Sequence, residues 1–525
     1  MNKPILFAVV ATFVAAVSTL QAKQSAPNVI FIMVDDLGYG DLSCYGAELI
    51  STPNIDRLAK EGRQFLDAHS ASAVSTPSRY SMLTGEYPSR GTDRKENPGA
   101  GIWGPLRLNA SMIISTEQMT VGKVMQQQGY KTACIGKWHL GWGTTEPTNW
   151  NEPIDQSPND VGFDYYFGIP HVTSSPPYFF MRNREVVGYD PNDPILLKTN
   201  DNPAPIAETQ IYPNKGVNKF TGGTAAHALY KDDELGIKMA EESVQWIKEN
   251  KENPFFLYLA TPHIHHPFTP NKRFQGSSKA GLYGDFIQEL DWIVGEVLQC
   301  LDDEKLDKNT LVIFTSDNGG MFNQAAREAW SLGHCLNGDL LGFKFGIWEG
   351  GHRVPFLARW SGKIKAGTES DQLISNVDLM ATMAALTGYE LQEGEGVDSY
   401  NVLDAFVGNP KEMIRPELKL TSQKSSHQSL RMGDWVYIPK RANGGWNNNK
   451  PSVNAWGGPL AIEWAGRVNS DIEGGKVKPD APKAQLYNLK EDLTQTTNVI
   501  NDYPEIVAQM ESRLHEILSA EQTRP

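Results

Sequence analysis

Cysteine is scarce. Cys44, Cys134, Cys300 and Cys335 are the only four in 525 residues, and although four thiols allow three full pairings, they cannot build a dense disulfide scaffold. Their scatter lacks metal-ligand spacing, so buried free thiols are expected. Excess positive charge is also missing. Lys and Arg total 48 against 62 Asp and Glu, a formal net charge of −14, and no nucleic acid partner is expected. A small anionic substrate stays compatible, because a few Lys, Arg and His side chains with a metal can reverse the potential in one pocket. The apolar run Ile5 to Val17 is too short to span a bilayer, and no cysteine follows it to carry a lipid. With Lys3 before it and Leu20-Gln21-Ala22 after it, residues 1–22 read as a cleaved secretory signal. The mature chain is then periplasmic or secreted, without a membrane anchor, and one unit more negative for the loss of Lys3.

What remains is an ordinary globular composition, 40% hydrophobic, enough for a large core and more than one domain. "NVIFIMVDD" (28–36) is a continuous apolar run ending in acids, as in a buried parallel strand. "TPNIDRLAKEG" (52–62) predicts a helix capped by Thr52, and "MTVGKVMQQQG" (119–129) another, followed by the strand "YKTACIG" (130–136). Helix and strand alternate again at 234–250 and 254–260, then at 285–301 and 310–318. This alternation predicts an α/β fold with a mainly parallel sheet between helices and chemistry at the C-terminal ends of the strands. After about residue 415 the texture changes. "LRMGDWVYI" (430–438) and "AQLYNLKED" (484–492) read as antiparallel strands and 502–518 as an amphipathic helix with Asp502 and Glu505 as a capping pair. The stretch 441–457 reads as an irregular insertion. A signal at 1–22, a catalytic α/β domain over 23–415 and a smaller α+β subdomain over 416–525 are expected.

Polar residues gather where the strands end. Asp35-Asp36 and Asp317-Asn318 supply oxygen donors suited to a hard divalent cation, although such pairs also make Asx turns. Lys137 and His139 in "GKWHLG", His263, His265 and His266 in "ATPHIHHPF", and Lys344 in a glycine-rich loop add basic groups. Zinc is the rival for a histidine cluster, but no HExxH or Cys/His spacing accompanies it. "SAVSTPSRYSMLTG" (72–85) predicts a helix start with Thr76 as N-cap, Pro77 in the first turn and Gly85 as stop. That leaves Ser75 and Arg79 together at the positive end.

These pieces resemble a known family. Ser75-Thr76-Pro77-Ser78-Arg79 with Leu83-Thr84-Gly85 is similar to the signature of type I sulfatases in the alkaline phosphatase superfamily. "VDDLGYGDL", "GKWHLG", "GFDYYFG", "SDNGG", "EGGHRVPFLARWSGKI", "NVDLMATMAALTG" and "QLYNLKEDLTQTTNV" follow in the family's order. The resemblance implies an alkaline-phosphatase-like fold and a sulfuric ester hydrolase. It implies that Ser75 is converted to formylglycine, whose hydrated gem-diol can take a sulfuryl group and then expel sulfate. A serine at this position implies a maturation enzyme of the anaerobic formylglycine-generating type. Asp35, Asp36, Asp317, Asn318 and residue 75 would bind one Ca²⁺, and Arg79 would hold the new side chain. Lys137 and Lys344 would contact the sulfate, His139 would help resolve the sulfated gem-diol, and His265 would protonate the leaving alcohol. His263 is a weaker candidate from the same loop.

The stretch "IPHVTSSPPYFFMRN" (169–183) departs from many relatives, and His171, Arg182 and Trp103 are candidates for sugar contact. The expected substrate is a sulfated saccharide, a galactose or N-acetylgalactosamine sulfate at a glycan end. The alternatives are a phosphodiesterase or phosphonate hydrolase of the same superfamily, which often uses two metals, and a glycan-binding pseudoenzyme.

Overall fold

The run Asn28–Val34 lies at the centre of a 10-stranded mixed sheet in the computed structural model, which describes residues 26–92, 100–197, 220–445 and 457–525. It pairs in parallel with Phe255–Ala260 on one side and Thr310–Ser316 on the other. Lys131–Lys137 and Tyr165–Ile169 extend the parallel set. Both faces of the central strand are covered, which is why its sequence is apolar throughout rather than alternating. Ile30, Ile32 and Val34 enter one core with helices Leu235–Asn250 and Gly281–Asp303; Val29, Phe31 and Met33 enter a second with Ser75–Thr84 and Leu379–Thr387. Each fully buried Ile or Val contributes about 1.5–3 kcal/mol. The sheet is antiparallel only at its flanks, through Phe356–Arg359 on one side and Met181–Arg182 on the other.

A second, four-stranded antiparallel sheet joins Glu417–Thr421, Gln428–Met432, Trp435–Ile438 and Gln485–Asn488. The single strand expected over 430–438 is a hairpin, because Gly433 (φ 55°) and Asp434 form a two-residue turn between Met432 and Trp435. The helix Pro504–Ser519 lays Met510, Leu514 and Ile517 on this subdomain. Its expected Asp502–Glu505 capping pair does not form. Tyr503 is the N-cap and Pro504 takes the first turn, where its missing N–H costs nothing. Thr52 likewise sits at an N-cap without capping, and its hydroxyl donates to Asp56 Oδ1 at 3.0 Å.

The subdomain braces the site. Ala73 N–H donates to Thr421 O at 2.9 Å, Arg415 Nη2 meets Asp378 Oδ1 at 2.5 Å, and Trp348 Nε1 donates to Gln485 Oε1 at 2.9 Å. The four cysteines are free; Cys134 and Cys300 are buried, whereas Cys44 and Cys335 are only half-buried. Among the described residues no helix is long and apolar enough to cross a membrane. The signal expected at 1–22 and most of the insertion expected at 441–457 lie outside the described residues.

Candidate active site

Asp35 and Asp36 leave the central strand where the parallel sheet opens. Asp35 N–H donates to His263 O and Ile264 N–H to Asp35 O, both at 2.6 Å, so the turn is held from the neighbouring strand end. Asp36 adopts φ 63°, which swings its carboxylate back towards Asp317. Asp36 N–H donates to Asp317 Oδ1 at 3.2 Å, and Asn318 Nδ2 donates to Asp36 Oδ1 at 2.9 Å. Carboxylate oxygens of Asp35, Asp36 and Asp317 lie within 4.8 Å of one another, all buried. Burial and the neighbouring Asp35 push the Asp317 carboxyl up from its ordinary range. Asp36 Oδ2 is buried without a hydrogen-bond partner. Hard oxygens with one atom left unsatisfied fit a divalent cation of the Ca²⁺ type.

Ser75 arrives from a different direction. It is the first residue of the fully buried helix Ser75–Thr84, so its side chain stands at the positive end of the helix dipole. Its Oγ lies 3.1 Å from Asp35 Oδ1 and 3.2 Å from Asn318 Oδ1. The N-cap is Val74 rather than Thr76. Thr76 serves elsewhere: its hydroxyl donates to His139 O at 3.2 Å and accepts from Leu106 N–H at 3.0 Å. The helix ends as expected at Gly85, whose φ of 68° suits a residue without Cβ. Arg79, one turn in, places Nη2 2.8 Å from Asp317 Oδ2 and 3.8 Å from Asp35 Oδ1, and Nη1 donates to Tyr258 OH.

The basic residues converge on the same carboxylates. Lys137 Nζ meets Asp35 Oδ2 at 2.6 Å and Lys344 Nζ meets Asp36 Oδ1 at 2.5 Å. Burial lowers the Lys137 ammonium pKa, whereas at Lys344 burial is outweighed by Asp36, Asp35 and Asp317 together and the pKa is raised. Arg79, Lys137 and Lys344 thus balance Asp35, Asp36 and Asp317 charge for charge, and a bound divalent cation makes the pocket positive. That is the potential an anionic ester needs.

His139 (φ 59°) is buried, with neither ring nitrogen hydrogen-bonded. Burial and Lys137 hold its pKa well below the usual histidine range, so it is neutral. His265 is also held low by burial and His266. Its Nδ1–H donates to His266 O at 2.6 Å, leaving Nε2 free at 4.0 Å from Asp36 Oδ2.

The sugar-contact candidates part company. His171 packs its ring 4.7 Å from that of His139 and holds Leu106 O at 3.1 Å, on the wall of the site. Trp103 is half-buried and turns back on its own loop, donating to Ala100 O. Arg182 sits on a flanking strand, over the Phe167 ring and paired with Glu242 at 3.3 Å, outside the cluster. His263 gives the site its carbonyl only, because its imidazole faces Phe286 and Glu289 of the helix Gly281–Asp303. Tyr258, which anchors Arg79, and Thr173, 3.3 Å from His265 Nδ1, were not singled out by sequence. Tyr258 lies mid-strand in "PFFLYLA" and Thr173 in a serine-rich loop, where nothing marks them.

The family model described as Sulfatase matches residues 27–389. The chain is 35% identical over 519 residues to an N-acetylgalactosamine-6-O-sulfatase of Bacteroides thetaiotaomicron, covering 95% of this chain and 93% of that protein. It is 32% identical to the N-acetylgalactosamine-6-sulfatase of Canis lupus familiaris, over 73% of this chain and 66% of the relative. A solved structure described in connection with glycosaminoglycan metabolism by Bacteroides thetaiotaomicron is similar at TM-score 0.80 and 33% identity, covering 94% of this chain and 100% of that one. The matched stretch contains every acid, base and hydroxyl assembled above, and the chain belongs to the sulfatase family, whose members hydrolyse sulfate esters.

Proposed function

We propose that this sulfatase removes the 6-O-sulfate from N-acetylgalactosamine at the end of a glycan, outside the cytoplasm, after Ser75 has been oxidised to formylglycine by an anaerobic-type maturation enzyme. The observation that carries this reading is the burial of the reacting groups. Ser75, Lys137 and Lys344 are at most 4% exposed, so the sulfate must reach inward on an arm. An exocyclic 6-O-sulfate has one more carbon of reach than a sulfate on the ring itself. Both N-acetylgalactosamine-6-sulfatase relatives support the same sugar and position.

Asp35, Asp36, Asp317 and Asn318 would hold Ca²⁺. The hydrated aldehyde and the cation together would supply a nucleophile of lowered pKa, able to release sulfate without leaving a stable ester on the enzyme. The chain's own residues do the rest. Lys137 and Lys344 hold sulfate oxygens and stabilise the charge that spreads over them in the transition state. Arg79 fixes the Asp35–Asp317 pair beside residue 75. Neutral His139, with both nitrogens open, accepts a proton from the residue 75 hydroxyl. His265, its Nδ1–H committed to His266 O, delivers a proton from Nε2 to the leaving alcohol; a bound anionic ester favours its protonated form. The phosphodiesterase alternative is not favoured, because the family model and both N-acetylgalactosamine-6-sulfatase relatives are sulfatases.

Sulfate release by the matured protein from N-acetylgalactosamine 6-sulfate and 4-sulfate tests the reading. Preference for the 6-sulfate by about 10²-fold or more is expected. Equal rates, or turnover of phosphate esters alone, would overturn it.

A further inference from the structure

Behind the active-site loops lies a second buried cluster that catalysis does not use. The short strand Ala68–His69 and the helix Glu349–His352 are laced together, with Ser70 N–H donating to His352 O at 2.9 Å and Val354 N–H to Ala68 O at 3.0 Å. This brings the imidazoles of His69 and His352 edge to edge, Nδ1 to Nδ1 at 3.0 Å, with the rings tilted by 40°. Each Nε2 already has an acceptor. His69 Nε2–H donates to Asp67 Oδ1 at 2.8 Å, and Asp67 is kept ionised by Arg353 at 2.7 Å and Arg431 at 3.3 Å. His352 Nε2–H donates to Ile347 O at 3.0 Å. Both rings therefore keep their proton on Nε2 and turn bare Nδ1 lone pairs towards each other, an arrangement that repels unless a cation lies between them.

A third ligand is at hand. Glu349 Oε2 accepts from Arg353 Nε at 2.8 Å, while Oε1 is buried with no partner. Ligand atoms of His69, Glu349 and His352 lie within 4.8 Å of one another, and the three residues are at most 1% exposed.

We propose that His69, His352 and Glu349 bind a structural Zn²⁺ ion. Neutral imidazoles with one carboxylate suit zinc rather than Ca²⁺ or Mg²⁺. Zn–N bonds of about 2.05 Å span the gap between the rings at an N–Zn–N angle of about 94°, and a few tenths of an ångström of opening make it tetrahedral. The Asp67 carboxylate on His69 and the Ile347 carbonyl on His352 fix ring orientation as outer partners of zinc histidines do. Gly319 N–H donates to Gly351 O at 2.9 Å, so the ion would brace the Asp317–Asn318 loop on one side and the segment leading to Ser75 on the other. Asp67 and Glu349 are already matched in charge by Arg353 and Arg431, so the competitor for the gap is a proton shared by the two rings.

Expressing the full chain with supplementary Zn²⁺, dialysing it against metal-free buffer, and collecting diffraction on both sides of the zinc absorption edge decides between them. About one zinc per chain should remain, with the anomalous peak between the two Nδ1 atoms. Glu349→Gln should lower occupancy by about 10-fold or more. If that variant does not fold, the wild-type map decides alone. A folded wild-type protein with no anomalous peak at this position, or with zinc only among the aspartates, overturns the proposal.

Discussion

Ser75 Oγ lies 3.1 Å from Asp35 Oδ1, although 40 residues separate them in sequence. The contact joins the start of a buried helix to the end of the central strand, and the site's chemistry is organised around it. A nucleophile placed there shares its environment with three carboxylates, an arginine and two lysines, in a region where the effective dielectric is low and each charge is felt strongly.

Lys137→Ala should lower kcat/KM on a sugar sulfate by about 10²–10³-fold, the usual cost of losing one preorganised group that stabilises transition-state charge. It also strips Asp35 of its buried partner, so the melting temperature should fall. Added Ca²⁺ should restore stability but not turnover, because the cation replaces the lost charge without reaching the same sulfate oxygen. Steady-state kinetics and thermal melts at varied Ca²⁺ separate the two effects.

Removing the cation at the three aspartates should abolish turnover while leaving the protein folded. Arg79, Lys137 and Lys344 already oppose the three aspartates in the cation's absence, so loss of the ion does not leave a naked cluster of negative charge. Circular dichroism before and after chelation should superimpose, and activity should return with Ca²⁺. Unfolding on chelation would show that the lysines do not provide this balance.

His265→Ala should depend on the leaving group. On a sugar sulfate, whose alcohol needs a proton to depart, the loss should reach about 10²–10⁴-fold. On an aryl sulfate with an acidic phenol the loss should be far smaller. Equal losses on both substrates would move His265 from proton donor to a purely structural role.

Much of this site was legible before folding because the informative residues sit where the backbone pattern changes. Asp35-Asp36 and Asp317-Asn318 each end a buried apolar run, and strands that bury both faces announce themselves by lacking alternation. Caps were less legible. Thr76 and Asp502 look like N-caps, but Val74 and Tyr503 hold those positions, because tertiary hydrogen bonds to His139 and Leu106 take the Thr76 hydroxyl and Pro504 sets the later helix start. Direction was least legible of all. His263 and His265 are two residues apart, yet one imidazole faces Phe286 and the other the aspartates. The partners of Arg182 and Trp103 were equally illegible: Arg182 pairs with Glu242 and Trp103 donates to Ala100 O.

Lys419 gives a stability prediction independent of catalysis. It is 1% exposed, with Nζ donating to Ser89 Oγ and Gln428 Oε1, and burial lowers its pKa to about 7. A lysine in the unfolded chain holds its proton to about pH 10.4. Between those values the unfolded state binds more protons, so this residue's contribution to stability rises with pH, and below pH 7 the cost of burying the charge is felt in full. Lys419→Met should therefore stabilise the protein at pH 6 by on the order of a few kcal/mol, with the advantage shrinking towards pH 9.5. Melting curves of both proteins across that range check it; a difference that does not change with pH would contradict the assignment.

Mass spectrometry of the tryptic peptide ending at Arg79, taken from active protein purified from its native source, tests the central claim most directly. The account predicts a residue 75 lighter than serine by the hydrogens lost in forming an aldehyde, or the corresponding hydrate, in proportion to sulfatase activity. Full activity with an unmodified Ser75 would contradict it.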